Sequence, residues 1–289
     1  MITTNAAGER DAAREGGDLV RRNSAVFDRA AAGYDREPLR IFAFSADRLV
    51  EYAGIGPGHK VLDVATGTGA VALAAAQMVG PSGRVIAIDT AERMLDRAQA
   101  KIAQFGVANV DLHLMDAESL EFRAGYFDAV VCSHALDLLP DMEAAIRGWM
   151  RVLRPGGVIA FSVLGAGAFE PMASLLSRRI EGRETPGSQP LPVPGLHRLA
   201  APERCQQLLE GAGLRECRVT EEQLGYHLRD TREWWDLVMG SGLREFVDRL
   251  DPAVADAVRD EHLAELASSV GENGLWLDGS TLLAAGRRA

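Results

Sequence analysis

The residues Val61-Leu62-Asp63-Val64-Ala65-Thr66-Gly67-Thr68-Gly69 run from an apolar strand through a glycine turn into an alanine-rich helix beginning near Ala70. Such an order brings a strand end, a backbone free of side chains and a helix N-terminus to one place, where a ligand can approach the main chain closely. Gly67, Gly69 and Ala72 also satisfy the loose G-x-G-x-x-G/A dinucleotide pattern. Asp89 follows about twenty residues later at the end of the next strand, the position from which a carboxylate accepts from a ribose diol. Asp63 discriminates between ligands. A carboxylate inside the strand, four positions ahead of Gly67, repels a pyrophosphate and attracts an ammonium group. The ligand is therefore expected to be cationic there, and S-adenosylmethionine fits, with an adenosine, no phosphate, a methionyl ammonium and a sulfonium.

These residues need a scaffold, and from residue 60 onward short β-branched runs alternate with amphipathic stretches of helical period, the pattern of βαβ units. Strands are expected at Val61–Ala65, Arg84–Asp89, Val110–Met115, Phe127–Cys132 and Gly157–Val163. Helices are expected at Ala70–Val79, Ala91–Phe105 and Met142–Leu153, the last stopped by Arg154-Pro155-Gly156-Gly157. Right-handed crossovers then give a doubly wound α/β fold. Ahead of it Asn23–Tyr52 reads as helical with a break at Pro38, and behind it the prolines and glycines of Pro186–Gly195 read as a loop. A helix at Pro202–Glu210 and a strand at Arg215–Leu224 follow. Trp235, Val238, Phe246 and Leu250 then share one helical face, Val254, Val258 and Leu266 another, before strand character returns at Leu275–Ala285.

With 289 residues, 47% hydrophobic and 25% charged, the chain has the composition of an ordinary globular protein of one or two domains. A net charge of −10 argues against nucleic acid as a partner. No apolar run is long enough for a membrane span, and the polar opening Met1–Asp18 lacks the core of a signal peptide, so a cytoplasmic location without a membrane partner is expected. Cys132, Cys205 and Cys217 have neither the number of a disulfide framework nor the spacing of a zinc site, and no metal is expected.

Taken in order, D-x-A-T-G-T-G from Asp63, I-D-T-A-E-R-M-L from Ile88, M-D-A-E-S-L from Met115 and L-R-P-G-G from Leu153 resemble a class I S-adenosylmethionine-dependent methyltransferase, of the ubiquinone/menaquinone C-methyltransferase-like branch, over about Val26 to Ala168. The resemblance implies a mostly parallel, seven-stranded Rossmann-like sheet with an N-terminal helical cap and a helical insertion before the last strand. It divides the chain into a tail and cap (1–52), a cofactor-binding core (53–168) and a completing segment (169–289). It places Asp63, Ala65, Gly67 and Gly69 around the methionine moiety, with Asp63 acting on the ammonium through water, and counts Thr66, at a position where such loops often carry cysteine, among the cofactor-binding residues. Asp89 would take the ribose hydroxyls, Thr90 and Met94 would flank the adenine, and Asp116 and Ala117 would meet its edge. Phe27 and Tyr34, in F-D-R-A-A-A-G-Y-D, would close over the cofactor, and Ser133 and His134 would line the route to the methyl. The implied activity is methyl transfer to a small-molecule acceptor by a monomer or homodimer, with His134 as general base if the acceptor must lose a proton.

Plainer readings stand beside these. Asp116 alone reads as a turn residue, Met94 as core, Tyr34 as cap packing, and His134 as a strand-end histidine bonded to a carbonyl. His197, His227 and His262 are other candidate bases, although His262 continues the spacing of Val254 and Val258 and reads as packing. Trp234 and Trp235 read as packing or as an aromatic wall facing a sulfonium. The rival activities are non-methylating chemistry on the same cofactor, such as cyclisation or elimination, a nicotinamide-dependent dehydrogenase, and a silent binding module.

Overall fold

The structure, a computed structural model, describes residues 6–185 and 198–289, with side chains from residue 16 onward. The stretch Pro186–Gly195 and His197 therefore lie outside the described residues. Seven strands form one sheet in the order β3-β2-β1-β4-β5-β9-β6. The parallel part consists of β1 (Lys60–Val64), β2 (Arg84–Asp89), β3 (Val110–Leu114), β4 (Phe127–Ser133) and β5 (Leu153–Leu164). Strand β9 (Ser280–Arg287) runs antiparallel between β5 and β6 (Arg215–Gln223). Strands β1, β4 and β9 are buried on both faces, as a sheet covered on two sides requires.

Helices α2 (Ile41–Tyr52) and α3 (Ala70–Val79) pack Leu49, Val50, Val71 and Ala75 against Val61, Val131 and Ala160 on one face. On the other, α5 (Met142–Val152) and α7 (Pro202–Gly211) pack Ile146, Trp149 and Leu209 against Leu62, Val130 and Phe161. Asp141 caps α5 by accepting from the Ala144 amide at 2.8 Å, and α4 (Glu92–Phe105) ends at Gly106 in the left-handed conformation. Chain order reverses between β1 and β4, and in open sheets the crevice beyond the strand ends at such a switch point takes the ligand.

The elements outside this core depart most from expectation. Helix α1 (Ala6–Ala30) starts well before Asn23, inside the polar opening, and its C-terminal half buries Val26 and Ala30 and is also tied down by ion pairs. Arg22 pairs with Glu245, and Arg29 with Asp248 at 2.8 Å, both on or beside the short helix α9 (Arg244–Val247). Leu275–Ala285 is divided: β8 (Leu275–Leu277) pairs with β7 (Tyr226–Leu228) in a separate ribbon, and only β9 joins the main sheet. The Arg154–Gly157 stop lies within the start of β5, one residue after α5 has ended. Helices α6 (Met172–Ile180), α8 (Thr231–Gly240) and α10 (Pro252–Leu266) enclose a second core around Trp234, Phe169 and Leu237, which reaches the sheet at Leu164.

Candidate active site

Strand β1 enters its turn through Ala65, whose φ is +54°, and β4 leaves the sheet through His134 at +51°. Two non-glycine residues in the left-handed region at neighbouring strand ends turn the chain away on both sides of the switch point. The gap between them opens into a cleft that encloses about 740 Å³ of space continuous with open solvent. Ala65, Gly67, Asp89, Thr90, Met94, Asp116, Ala117, Ser133 and His134 line it from the sheet side, and Phe27 and Tyr34 from the cap. These residues come from four strand ends and the turns after them, from the first turn of α4 at Met94, and from two cap positions, all far apart in sequence.

The carboxylates differ in their surroundings. Asp89, at the end of β2, accepts from the Gly67 amide at 2.7 Å through Oδ2 and from the Ala91 amide at 2.8 Å through Oδ1, so it holds the glycine turn from the cleft side. Burial raises its pKa, while the amides of Ala91 and Gly67 pull the other way. Asp63 is fully buried beneath the turn rather than on the cleft wall. Its Oδ2 accepts from the Thr66 hydroxyl at 2.5 Å, and its Oδ1 has no hydrogen-bond partner. Burial, with the Asp89 charge adding to it, pushes it up to about 7 against the lowering effects of the Thr66 hydroxyl and the Ala72 amide. Asp116 accepts from the Glu118 amide at 2.9 Å in an Asx turn, which leaves acceptor capacity at the cleft.

Thr66 and Gly69 also stand behind the wall. Thr66 orients Asp63, and a Cβ at Gly69 would lie 3.1 Å from the Ala98 Cβ, so that glycine lets α3 start close against α4. At Gly67, with φ +53°, a Cβ would meet no protein atom within 4 Å, which leaves the side-chain space on that residue open.

His134 donates its backbone amide to the Ser162 carbonyl at 2.8 Å, but both of its ring nitrogens are buried without a partner. Burial lowers its pKa to about 4, so the ring is neutral at physiological pH. Its ring meets Phe42 edge-on, Phe42 stacks on Tyr34 at 5.0 Å, and Tyr34 meets Phe27 edge-on, giving an aromatic run along the cap side. Desolvation raises the Tyr34 hydroxyl, with Asp89 and Asp35 adding to the effect. Ser133 shares a 2.8 Å hydrogen bond with Ser162.

The other candidates are placed elsewhere. His262 accepts from the Trp234 indole at 2.9 Å inside the second core, with Trp234 fully buried, so both are packing residues. Trp235 packs partly buried against the same core, and His227 lies exposed on the β7–β8 ribbon beside Trp276. The described residues hold no cluster of metal-ligand type and no helix long and apolar enough to cross a membrane.

Sequence reasoning missed a second part of the wall. Val20, Asn23 and Ser24 of α1 line the cleft at helical spacing with Phe27, and Leu138, Leu139 and Pro140 line it from the loop after β4. The Asn23 side-chain amide donates to the Leu138 carbonyl at 3.2 Å, and Ser24 donates to the Thr90 hydroxyl at 2.7 Å, so α1 bridges the cleft. The three- and four-residue spacing of Val20, Asn23, Ser24 and Phe27 was the available signal, and it is visible once the helix is carried back past Asn23.

Residues 61–157 match the family described as methyltransferase domain. Nocamycin O-methyltransferase of Saccharothrix syringae is 31% identical over 252 residues, 84% of this chain and 90% of that protein. The ubiquinone/menaquinone biosynthesis C-methyltransferase UbiE of Saccharophagus degradans is 36% identical over 146 residues, 48% of this chain and 58% of that one, so there the chain spans little more than half of its relative. Among solved structures, the YcgJ protein of Bacillus subtilis, 21% identical with a TM-score of 0.56, covers 85% of this chain and 98% of its own, and shows the same fold.

Proposed function

The chain belongs to the class I S-adenosylmethionine-dependent methyltransferases, and from that premise we propose how its cleft divides the work of methyl transfer to a small-molecule acceptor. The observation that carries the reading is Asp63: a fully buried carboxylate under the glycine turn, with Oδ1 unpartnered. An acid in that condition gains from a nearby cation and would lose from a phosphate. The residues present therefore fit S-adenosylmethionine. Asp63 would meet its ammonium through water, aided by Thr66. Asp89 would accept from the ribose hydroxyls with the lone pairs that the Gly67 and Ala91 amides leave free. Met94 and Thr90 would flank the adenine, and Asp116 beside Ala117 would meet its amine edge. Bound there, the cofactor supplies an electrophilic sulfonium methyl for in-line displacement and leaves as S-adenosylhomocysteine.

What the protein adds is position and exclusion of water. Holding reactants in line at ~3 to 3.5 Å can supply about 7 to 11 kcal/mol of a barrier, so no covalent enzyme intermediate is required. His134, Tyr34 and Phe27 form the wall at which an acceptor would be held. With a pKa near 4 and no carboxylate beside it, the neutral His134 ring serves better as a hydrogen-bonding partner to the acceptor than as a strong base. We place the methyl on an oxygen, because a relative that this chain matches over 90% of its length is named as an O-methyltransferase. Incubation with labelled S-adenosylmethionine and a panel of small hydroxyl and carboxyl compounds tests this. Label is expected in an acceptor and in no cofactor-only reaction. Methylthioadenosine formed without acceptor would replace the reading with intramolecular chemistry.

A further inference from the structure

The cap reaches the glycine turn from behind as well as across the cleft. Asp35, which follows Tyr34 in the loop after α1, accepts from the Thr68 hydroxyl at 2.7 Å and from the Lys101 ammonium at 2.7 Å through the same Oδ1. Lys101 also donates to the Thr68 hydroxyl at 3.0 Å, and Arg97, one turn earlier on α4, stands 3.7 Å from Asp35 Oδ2. Thr68 is 2% exposed and sits between Gly67 and Gly69, the two left-handed residues of the turn. The turn is thus gripped by Asp89 on the cleft side and by Asp35 on the other. Because Tyr34 lines the cleft and Asp35 is its neighbour, lifting Tyr34 away from the cofactor requires breaking or stretching the Asp35 contacts.

We propose that Asp35 is a positioning residue, a latch that joins the cap loop to the glycine turn through Thr68 and Lys101 and so sets how long the cap stays closed over bound cofactor. The inference rests on the cofactor reading above. It assigns Asp35, Thr68 and Lys101 no contact with substrate. Their action is on Tyr34, which is covalently next to the latch, and on Gly67, which shares the turn with Thr68. A charge-assisted bond is stronger than a neutral one, so the carboxylate and the ammonium should count for more than the hydroxyl.

S-adenosylhomocysteine association and dissociation rates, together with melting temperatures of the free proteins, provide the test. Asp35→Ala should speed dissociation by about tenfold or more and change association little, because affinity differences within one site lie mostly in the dissociation rate. The free protein should melt within a few degrees of wild type, since the carboxylate and ammonium are partly exposed. Asp35→Asn keeps an acceptor for Thr68 and should give a smaller acceleration, about threefold, matched by Lys101→Met. Wild-type dissociation should approach that of Lys101→Met in high salt. Dissociation unchanged in Asp35→Ala overturns the latch, and so does a fall in melting temperature that tracks the loss of binding in both Asp35 variants. If Asp35→Ala does not fold, Asp35→Asn and Lys101→Met decide by the same criteria. Failure of the wild type to bind S-adenosylhomocysteine would instead remove the cofactor reading.

Discussion

At the scale of single residues, the two buried acids give predictions of opposite character. Asp63 is held up to about 7 by burial, so in the free protein it is partly protonated at neutral pH. A cationic ligand favours the ionised form, and binding below that pKa must expel a proton. S-adenosylhomocysteine affinity should therefore rise with pH from about 6 to 8 and then level off, with a slope of at most tenfold per unit on the acidic side. Calorimetry in buffers of different ionisation heats measures the proton released, and Asp63→Asn should flatten the profile. A flat profile in wild type would take the ammonium away from Asp63. Asp89 acts by direct bonds, and Asp89→Ala should weaken binding by about 2 to 3 kcal/mol. The structure adds a reason for that loss beyond the ribose, because the same carboxylate restrains the Gly67 and Ala91 amides. Unchanged affinity in a folded Asp89→Ala protein would end the ribose assignment. Both acids were legible in the sequence because each stands at a fixed separation from one glycine turn. The missing partner at Asp63 Oδ1 and the neutral state of His134 were not, since both follow from burial in three dimensions.

At the scale of elements, legibility followed the strength of the local pattern. Strand β2 and helix α3 lie at their expected bounds, Arg84–Asp89 and Ala70–Val79, because an apolar run and an alanine-rich period each end there in a glycine or a charged cap. Helix α1 was read too short because its polar first half carries no apolar stripe, and the ion pairs that hold it join residues more than two hundred positions apart. The ribbon of β7 and β8 was invisible for a related reason: two three-residue strands announce themselves only by pairing. Within the glycine turn, the structure separates two residues that the motif treats alike. Gly67→Val should fold, at a cost of about 1 to 2 kcal/mol for its left-handed backbone, and lose S-adenosylhomocysteine binding, because Gly67 lines the cleft and no protein atom would keep its new side chain out of the ligand's space. Gly69→Ala should instead lower the melting temperature more than Gly67→Ala does, because its Cβ would press on Ala98. Thermal melts and calorimetry on the three variants separate the effects. Normal binding by a folded Gly67→Val protein would reduce the turn to a strand-to-helix connection.

At the scale of the whole molecule, two cores meet at one cleft, and α1 is the element that spans them. Its residues Asn23, Ser24 and Asp28 bond to the β4 loop, to Thr90 and to the start of α4, while Arg22 and Arg29 bond to the helical insertion at Glu245 and Asp248. A sequence shows a cap before the first strand and another before the last, but their union is carried by these long-range pairs. The positions of Asn23–Pro38, Pro186–Gly195 and Arg232–Leu250 in the chain, before the first strand, after the fifth and before the last, lead us to expect that these segments gain order with ligand. The second lies outside the described residues, and the other two are joined by the Arg22–Glu245, Arg29–Asp248 and Arg36–Asp236 ion pairs and by the close approach of Gly33 to Gly240. Hydrogen exchange should show Asn23–Pro38 and Arg232–Leu250 gaining protection together on adding S-adenosylhomocysteine, and more with a true acceptor, while β1 and β4 change little. Arg22→Ala combined with Arg29→Ala should weaken the coupling: protection by ligand would persist in Asn23–Pro38, which touches the cleft, and decline in Arg232–Leu250, which keeps only its other contacts with the cap, such as Arg36 with Asp236 and Gly33 against Gly240. Undiminished protection of both segments in that double variant would mean that the insertion senses the ligand through its packing on the cap, at Gly33 and Gly240 and in the second core at Tyr34 and Phe42, and not through the two ion pairs. Indifference of both segments to ligand in wild type would make the caps fixed scaffold and require the cleft to open elsewhere.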